Sequence, residues 1–561
     1  MKKLIITAFI LSLMGCNSSS SNSENQSLNS SDLTAADMVI SNGIIYGNES
    51  AQAVAVKAGV ITFIGSNAQV AKLVGNNTQT VNANGQLVLP GFIDNHNHLV
   101  EGGEMTCFPN RESTLSEQMT LLANCVKDVK AGSWITGYGG AFELEMQAPS
   151  VNTLATLDSL FPNNPVIIMD WASHAQFVNS LAYEKAGISK QTADPQGGVY
   201  LKDQNGELNG ILLDNAGDMM MELAVNSMDN KLESALLGIE YGLNEAKSHG
   251  ITTVGDGRTY WRQGIFEAWQ QVANNNELTV RISIRPWIYP EVEKAEQIAF
   301  LKSAFQNDIN KLLIVNQVKM YIDGMPEYST ARVIEPYQFT WFDGAPNGIN
   351  YLTQQVMSGW LADLYGMGYG AHIHAIGDLG VREALNAIES VRDAGSTLNY
   401  NMTHLQLVDP DDIPRFAELG VDADFQVGGG ACNEQELADY IAPFIGQTRA
   451  DQVRHSPVKE LYESGANVVL SSDWTVNPIS PMSAISYSVE EGSLTIEQAI
   501  DAYTIKPALA LGLETITGSI EVGKSADFAI LATDITKATA EKIRTTNVVT
   551  TILQGKVVYQ K

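Results

Sequence analysis

Residues 89–98 read Leu-Pro-Gly-Phe-Ile-Asp-Asn-His-Asn-His, an apolar run that ends in two histidines one residue apart. Successive side chains of a β-strand point to opposite faces, so His96 and His98 present two imidazoles to one side. The chain holds only 8 histidines, and two stand here. What else faces that point must come from elsewhere in the chain.

Downstream, from about Gly91 to about Gly518, apolar strand-like runs alternate with helix-like segments. The runs include PVIIMDW, HGITTVGDG, TVRISIRPW, QVKMYIDGM, YGAHIHAIGD, NYNMTHLQLV, VDADFQV and ANVVLSSDW. Amphipathic stretches such as Lys231 to Ser248 and Gly380 to Ala394 lie between or beside them. Strands alternating with helices imply a parallel sheet. Strands that end in polar or ionisable residues imply an α/β (β/α)8 TIM-like barrel, whose active site forms at the strand C-termini. Such a barrel takes about 250 residues. The excess predicts an inserted subdomain at about residues 107–245, within a barrel spanning 90–517. Both ends of the chain are short apolar runs broken by turn residues, as in ADMVISNGIIYGNES and NVVTTILQGKVVYQK. They predict one small β-sandwich built from residues 36–89 and 518–561.

With 561 residues, 44% hydrophobic and 17% charged, the chain is long enough for a large core and more than one domain. A net charge of −29, from 34 basic and 63 acidic residues, argues against nucleic acid as a partner, because phosphates would be repelled.

Residues 1–16, MKKLIITAFILSLMGC, combine a basic start, a short apolar run and a closing Gly-Cys. The run is too short for a permanent membrane span and fits an export signal. Leu13 with Gly15 before Cys16 resembles a bacterial lipobox, which implies lipidation of Cys16. Residues 17–35 are polar and low in complexity, as a flexible tether would be. The expected location is the bacterial cell envelope, lipid-anchored through Cys16. Asn17 favours the outer membrane facing the periplasm, since no aspartate follows the cysteine. Of the remaining cysteines, Cys107 and Cys125 are the nearest pair, and an exported chain permits a disulfide. Sequence leaves the connectivity open.

Metal-ligand chemistry recurs at several strand ends: His96 and His98, Lys319 in QVKMYIDG, His374 in HIHAIGD, His404 in NMTHLQL and Asp473 in LSSDWTVNP. Imidazole and carboxylate donors suit zinc and neighbouring divalent ions. In this order, PGFIDNHNH, VKMYIDG, HAIGD, THLQLV and SSDWTVNP resemble the amidohydrolase superfamily, and most closely its family 3, the YtcJ-like and N-substituted formamide deformylase-like branch. The resemblance extends to HAQFVNSLAYEKAGI in the insert and to AYTIKPALALGL with GSIEVGKSADFAIL near the end.

That resemblance implies roles for particular positions. His96 and His98 would bind the more buried metal, and Asp473 would touch it and act as general base and acid. His374 and His404 would bind a second ion. Lys319 would bridge the two as a carbamate formed with CO₂, since a free ammonium cannot ligate a cation. An ordinary Lys319 paired with a carboxylate such as Asp323 stays open, and with it the choice between one and two ions per chain. His174, in WASHAQFVNS, resembles substrate-side residues, and a cap on a surface turn is its alternative.

His372 shares the strand face of His374 and is expected to orient a ligand, as is Asp94 beside the histidine pair. Asp323, Glu327, Tyr328 and Arg332 are candidates for the pocket wall, with structural packing an equal alternative for the last three, and Gly428 to Gly430 for a flexible loop over it. His249 is expected to cap a helix C-terminus, and Asp378 to cap a helix N-terminus. His455, in a helix-like stretch, is given no catalytic role.

The function these readings imply is hydrolysis of an amide, formamide or related C–N bond by metal-activated water. Ester, lactone or phosphoester hydrolysis in the same fold, and a noncatalytic ligand-binding lipoprotein, are the alternatives. The partners expected are a small-molecule substrate, a membrane reached only through the lipid anchor, and an optional second copy of the chain as a homodimer.

Overall fold

The computed structural model describes residues 35–104, 115–140, 153–429 and 434–561. Cys16 with its signal and tether, Cys107, and Gly430 of the glycine run lie outside the described residues. Cys125 is disulfide-bonded.

The protein is an α/β fold with parallel and mixed sheets and many helices. Its centre is a barrel-like array of parallel strands: β1 (Phe92–Asn97), β2 (Ile251–Asp256), β3 (Arg281–Ser283), β4 (Gln317–Tyr321), β5 (Gly370–Ala375), β6 (Tyr400–His404), β7 (Val421–Phe425) and β8 (Asn467–Leu470). β1, β2 and β3 pair in parallel in one sheet, which ends on the short strand Leu313–Ile314 just before β4. β4 through β8 pair in sequence in a second sheet. The sheets meet at two parallel bridges, Trp287 with Lys319 and Asn97 with Trp474. All eight strands therefore run the same way, and their C-terminal ends lie on one side.

These strands are apolar because both faces are covered, as parallel sheets require. α1 (Leu99–Glu104) follows directly on the histidine pair and lies against α2 (Lys231–Ser248). The approach is close because Gly238 and Gly242 of α2 lack side chains there. An added Cβ would stand 2.5 Å from the carbonyl oxygens of Val100 and Leu99, respectively. The amphipathic pattern of residues 231–248 thus buries Ala235, Ile239, Leu243 and Ala246 and fixes the segment that leaves His98.

Among the described residues four further sheets stand outside the barrel strands. The stretch between β1 and β2 contains a mixed five-stranded sheet, in the order Gly198–Lys202, Leu208–Asp214, Ala175–Val178, Val166–Asp170, Ile135–Gly140. The two chain ends share a sheet in which Leu87–Pro90 pairs antiparallel with Phe528–Leu531. Among the described residues no helix is long and apolar enough to cross a membrane.

Candidate metal centre

At the C-terminal end of β1, His96 and His98 turn their Nε2 atoms to one point, 3.3 Å apart. The Asp473 carboxylate, just past β8, reaches the same point: Oδ1 lies 3.0 Å from His98 Nε2 and 3.4 Å from His96 Nε2. His404, at the end of β6, brings Nδ1 to 3.9 Å from Asp473 Oδ2. His96, His404 and Asp473 form a group whose ligand atoms all lie within 4.8 Å of one another, the spacing needed to hold an ion.

The backbone is bent to make this happen. His404 and Asp473 have φ of 78° and 51°, a left-handed conformation that non-glycine residues adopt at a cost and that gathers at functional sites. Asp473 is tied in place by its N–H, which donates to the His96 carbonyl at 2.7 Å. Asp94, buried beneath, accepts from the Ser472 N–H at 2.9 Å, the Ser472 hydroxyl at 2.6 Å and Asn97 Nδ2 at 2.8 Å. It joins the end of β1 to the turn that carries Asp473, so its role is orientation.

Each imidazole of the pair is fixed through its other nitrogen. His96 Nδ1 lies 2.9 Å from Thr403 Oγ1 and 3.0 Å from His372 Nε2. His98 Nδ1 lies 3.0 Å from Glu101 Oε2, and Glu101 Oε1 lies 3.3 Å from Arg258 Nε. A carboxylate behind a ligand histidine sets its tautomer and leaves Nε2 free to coordinate. Burial acts to lower the His98 pKa, but the Glu101 charge and the Asp473 hydrogen bond outweigh it and hold the ring up at about 9. Gly257, after β2, supplies the room: an added Cβ would lie 2.6 Å from His98 Cε1 and 2.9 Å from His96 Cδ2.

His374 completes the ligand-bearing face. Its ring stacks on Tyr321 at 4.1 Å and meets the His404 ring at 4.5 Å. Burial holds His374 well below the ordinary histidine pKa and brings His404 down to about 3, so both are neutral donors. Lys319 is fully buried, and its Nζ has no hydrogen-bond partner. Burial drives its pKa well below the lysine range, against the opposing pull of Asp473. A buried unpaired amine and a buried unpaired His374 Nδ1 are costly unless something completes them. A divalent cation among these donors does so, and the donor set is the imidazole and carboxylate chemistry that zinc and its neighbours take.

The centre opens into a cavity of about 470 Å³, lined by His374, His404 and Asp473 at one side and by Trp171, Glu327 and Tyr440 among others. His174 also lines it. Its Nδ1 lies 2.6 Å from Asp214 Oδ1, and its ring is tilted against His374 at 4.8 Å. Burial lowers the His174 pKa, but the Asp214 hydrogen bond and charge outweigh that and raise it.

The structure corrects several expectations. Asp323 is spent on backbone, accepting from the N–H groups of Arg332, Ile376 and Gly377 at 2.9–3.0 Å, so it does not face the cavity. The Arg332 guanidinium turns to Glu383 at 3.0 Å and to the carbonyls of Asn347 and Gly348, away from the cavity. Tyr328 is buried, with its hydroxyl 2.5 Å from Asp170. Asp378 is not an N-cap: Gly377 holds that position, and Asp378 clamps Arg449 and accepts from the Ile334 N–H. His455 stands in a short strand rather than a helix and lines the cavity. His249, as expected, caps the C-terminus of α2, with Nδ1 2.9 Å from the Glu245 carbonyl. Glu101, Arg258 and Asp214 were missed. Only Glu101 left a trace, three residues past His98, where a helical turn brings it back to the ring.

Comparison with known proteins agrees with this geometry. The family described as "Amidohydrolase family" matches residues 79–559. The putative amidohydrolase YtcJ of Bacillus subtilis is 27% identical over 533 residues, covering 91% of this chain and 96% of that protein. The N-substituted formamide deformylase of Arthrobacter pascens is 24% identical over 549 residues, covering 92% and 96%. A metal-dependent hydrolase from Pyrococcus horikoshii, of uncharacterised function, has the same fold, with a TM-score of 0.68 at 20% identity over 90% of this chain and 99% of that one.

Proposed function

The chain belongs to the amidohydrolase superfamily, in its YtcJ- and deformylase-like family 3 of metal-dependent hydrolases, and from that premise we propose that it cleaves the C–N bond of an amide or formamide with Asp473 as general base and acid. The observation that carries this is the meeting of His96 Nε2, His98 Nε2 and Asp473 Oδ1 within 3.0–3.4 Å. The reading takes the eight strands as one closed barrel, supported by the bridges at both joins.

In this reading His96, His98 and Asp473 would hold one divalent ion, with zinc the favoured identity. His374 and His404 would hold a second where Lys319 is carboxylated. The neutral Lys319 amine favours that reaction: its lone pair attacks CO₂, a C–N bond forms and one proton leaves, giving a carbamate whose oxygens are ligands. A bound divalent ion supplies an acidified water and polarises the carbonyl to be attacked. Asp473 Oδ2, the oxygen turned toward His404, accepts the proton of the attacking water. The same carboxyl returns it to the leaving nitrogen, so the amine departs neutral and the proton count closes. His174, held by Asp214, stands beside His374 to donate from Nε2 to the carbonyl oxygen as negative charge gathers there.

The substrate class rests on the similarity to the deformylase. Export and a lipid anchor at Cys16 are proposed from residues 1–16 alone. The test is a panel of formamides, N-acyl amino acids, lactones and phosphoesters, run on the metal-loaded protein and on Asp473→Asn. Turnover of formamides or amides that Asp473→Asn abolishes, with its fold and metal content kept, is expected. Unchanged turnover would remove Asp473 from the mechanism.

A further inference from the structure

The cavity wall beyond His174 carries one carboxylate that the hydrolytic chemistry does not use. Glu327 lines the cavity, and its Oε2 is buried without a hydrogen-bond partner. The neighbouring carboxylates are already engaged. Asp214 holds His174 at 2.6 Å, and Asp170 accepts from Tyr328 and from the N–H groups of His174 and Ala175. The main chain here is anchored: Trp341 Nε1 donates to the Glu327 backbone carbonyl at 2.7 Å, and the Tyr328 hydroxyl donates to Asp170. A buried carboxylate oxygen without a partner is costly, and a donor or cation that enters the cavity relieves that cost.

Resting on the reading of this cavity as the substrate site, we propose that Glu327 is its specificity determinant and recognises a cationic group on the substrate, a protonated amine or a quaternary ammonium, remote from the scissile bond. His374, His174 and Glu327 line one cavity, and the His174 ring lies 4.8 Å from that of His374. A substrate that reaches the centre through this cavity therefore also meets Glu327. Trp171 and Tyr440 are aromatic residues of the same cavity lining. A net charge of −29 draws cations toward the protein in general. Burial pushes the Glu327 carboxyl up to about 7, with His174 pulling it down and Asp170 and Asp214 pushing it further up. Cation binding consequently strengthens as pH rises through that value.

The test is calorimetric titration of the metal-loaded protein with benzyltrimethylammonium, which has no lone pair to give a metal, against benzyl alcohol. At pH 8 the cation is expected to bind at least tenfold more tightly than benzyl alcohol, and Glu327→Gln is expected to abolish that preference. Bound metal and melting temperature report whether the variant is folded. Wild-type protein supplies a second reading that needs no variant: cation affinity rises between pH 6 and pH 8 while that of benzyl alcohol stays level. Equal cation binding by wild type and a folded Glu327→Gln, or a flat pH profile, would overturn the proposal. None of these measurements uses turnover, so failure of the hydrolase reading would show separately, in the substrate panel.

Discussion

Replacing Gly257 by alanine drives a methyl group into the ligand pair. The new Cβ stands 2.6 Å from His98 Cε1, 2.7 Å from His98 Nε2 and 2.9 Å from His96 Cδ2. Unstrained carbon contacts need about 3.5–4.0 Å, so the rings must retreat by about 1 Å. Neither can do so freely, because Thr403 and His372 pin His96 and Glu101 pins His98. Overpacking of this kind costs about 1–3 kcal/mol of folding stability, while metal coordination tolerates displacements of only about 0.2 Å. Affinity for a divalent ion should fall by at least the tenfold to hundredfold typical of disturbing a ligand's support, about 1.4–2.7 kcal/mol. Competitive chelation of the metal-free protein titrated with zinc measures the affinity, and urea unfolding measures the stability. Gly366→Ala is the control, since it lies in the helix Gln354–Met367 with nothing within 4 Å of an added Cβ, and it should be neutral or stabilising. A Gly257→Ala protein that binds zinc as tightly as wild type would refute the packing argument.

Three further outcomes are expected. Glu101→Gln removes the charge behind His98 and leaves Arg258 buried against Tyr321 with its ion partner lost, so zinc affinity should fall about 10–100-fold and stability by about 3–5 kcal/mol, read by chelator competition and urea melts. His98 is raised from 6.5 to about 9, so in the metal-free protein the stability it lends is complete below pH 6.5 and is lost as pH rises through about 9. Because metal must displace that proton, zinc affinity should climb with pH up to about 9 and then level, and a flat profile would contradict the assignment. Growth with a labelled fatty acid should label the full chain, and Cys16→Ser should abolish the label; equal labelling of both would end the lipid-anchor proposal.

The parts of the fold visible in the sequence were those whose causes are local. The strand β1 announced itself by an apolar run ending in alternate histidines, and α2 by an amphipathic period that matches residues 231–248. His96, His98, His374, His404 and Asp473 all stood at strand ends, where parallel strands with a common direction bring them to one side. What stayed hidden depends on partners far off in the chain. Asp323 looked like a pocket residue because it follows the Lys319 strand, yet three backbone N–H groups from residues 332, 376 and 377 consume it. Arg258 carries no motif, and only its distance to Glu101, 157 residues earlier, reveals its task. His455 read as helical because Arg454 and His455 form a strand only by pairing with Leu407 and Val408.

The central claim is that β1, β6 and the turn after β8 gather their side chains around a divalent ion. Anomalous diffraction from crystals of the metal-loaded protein, recorded on either side of the zinc edge, tests it most directly. A peak within coordination distance of His96 Nε2, His98 Nε2 and Asp473 is the expected result, with a second peak beside His374 and His404 if Lys319 is carboxylated. Loaded protein whose anomalous signal lies away from these residues, or that shows none, would contradict the account.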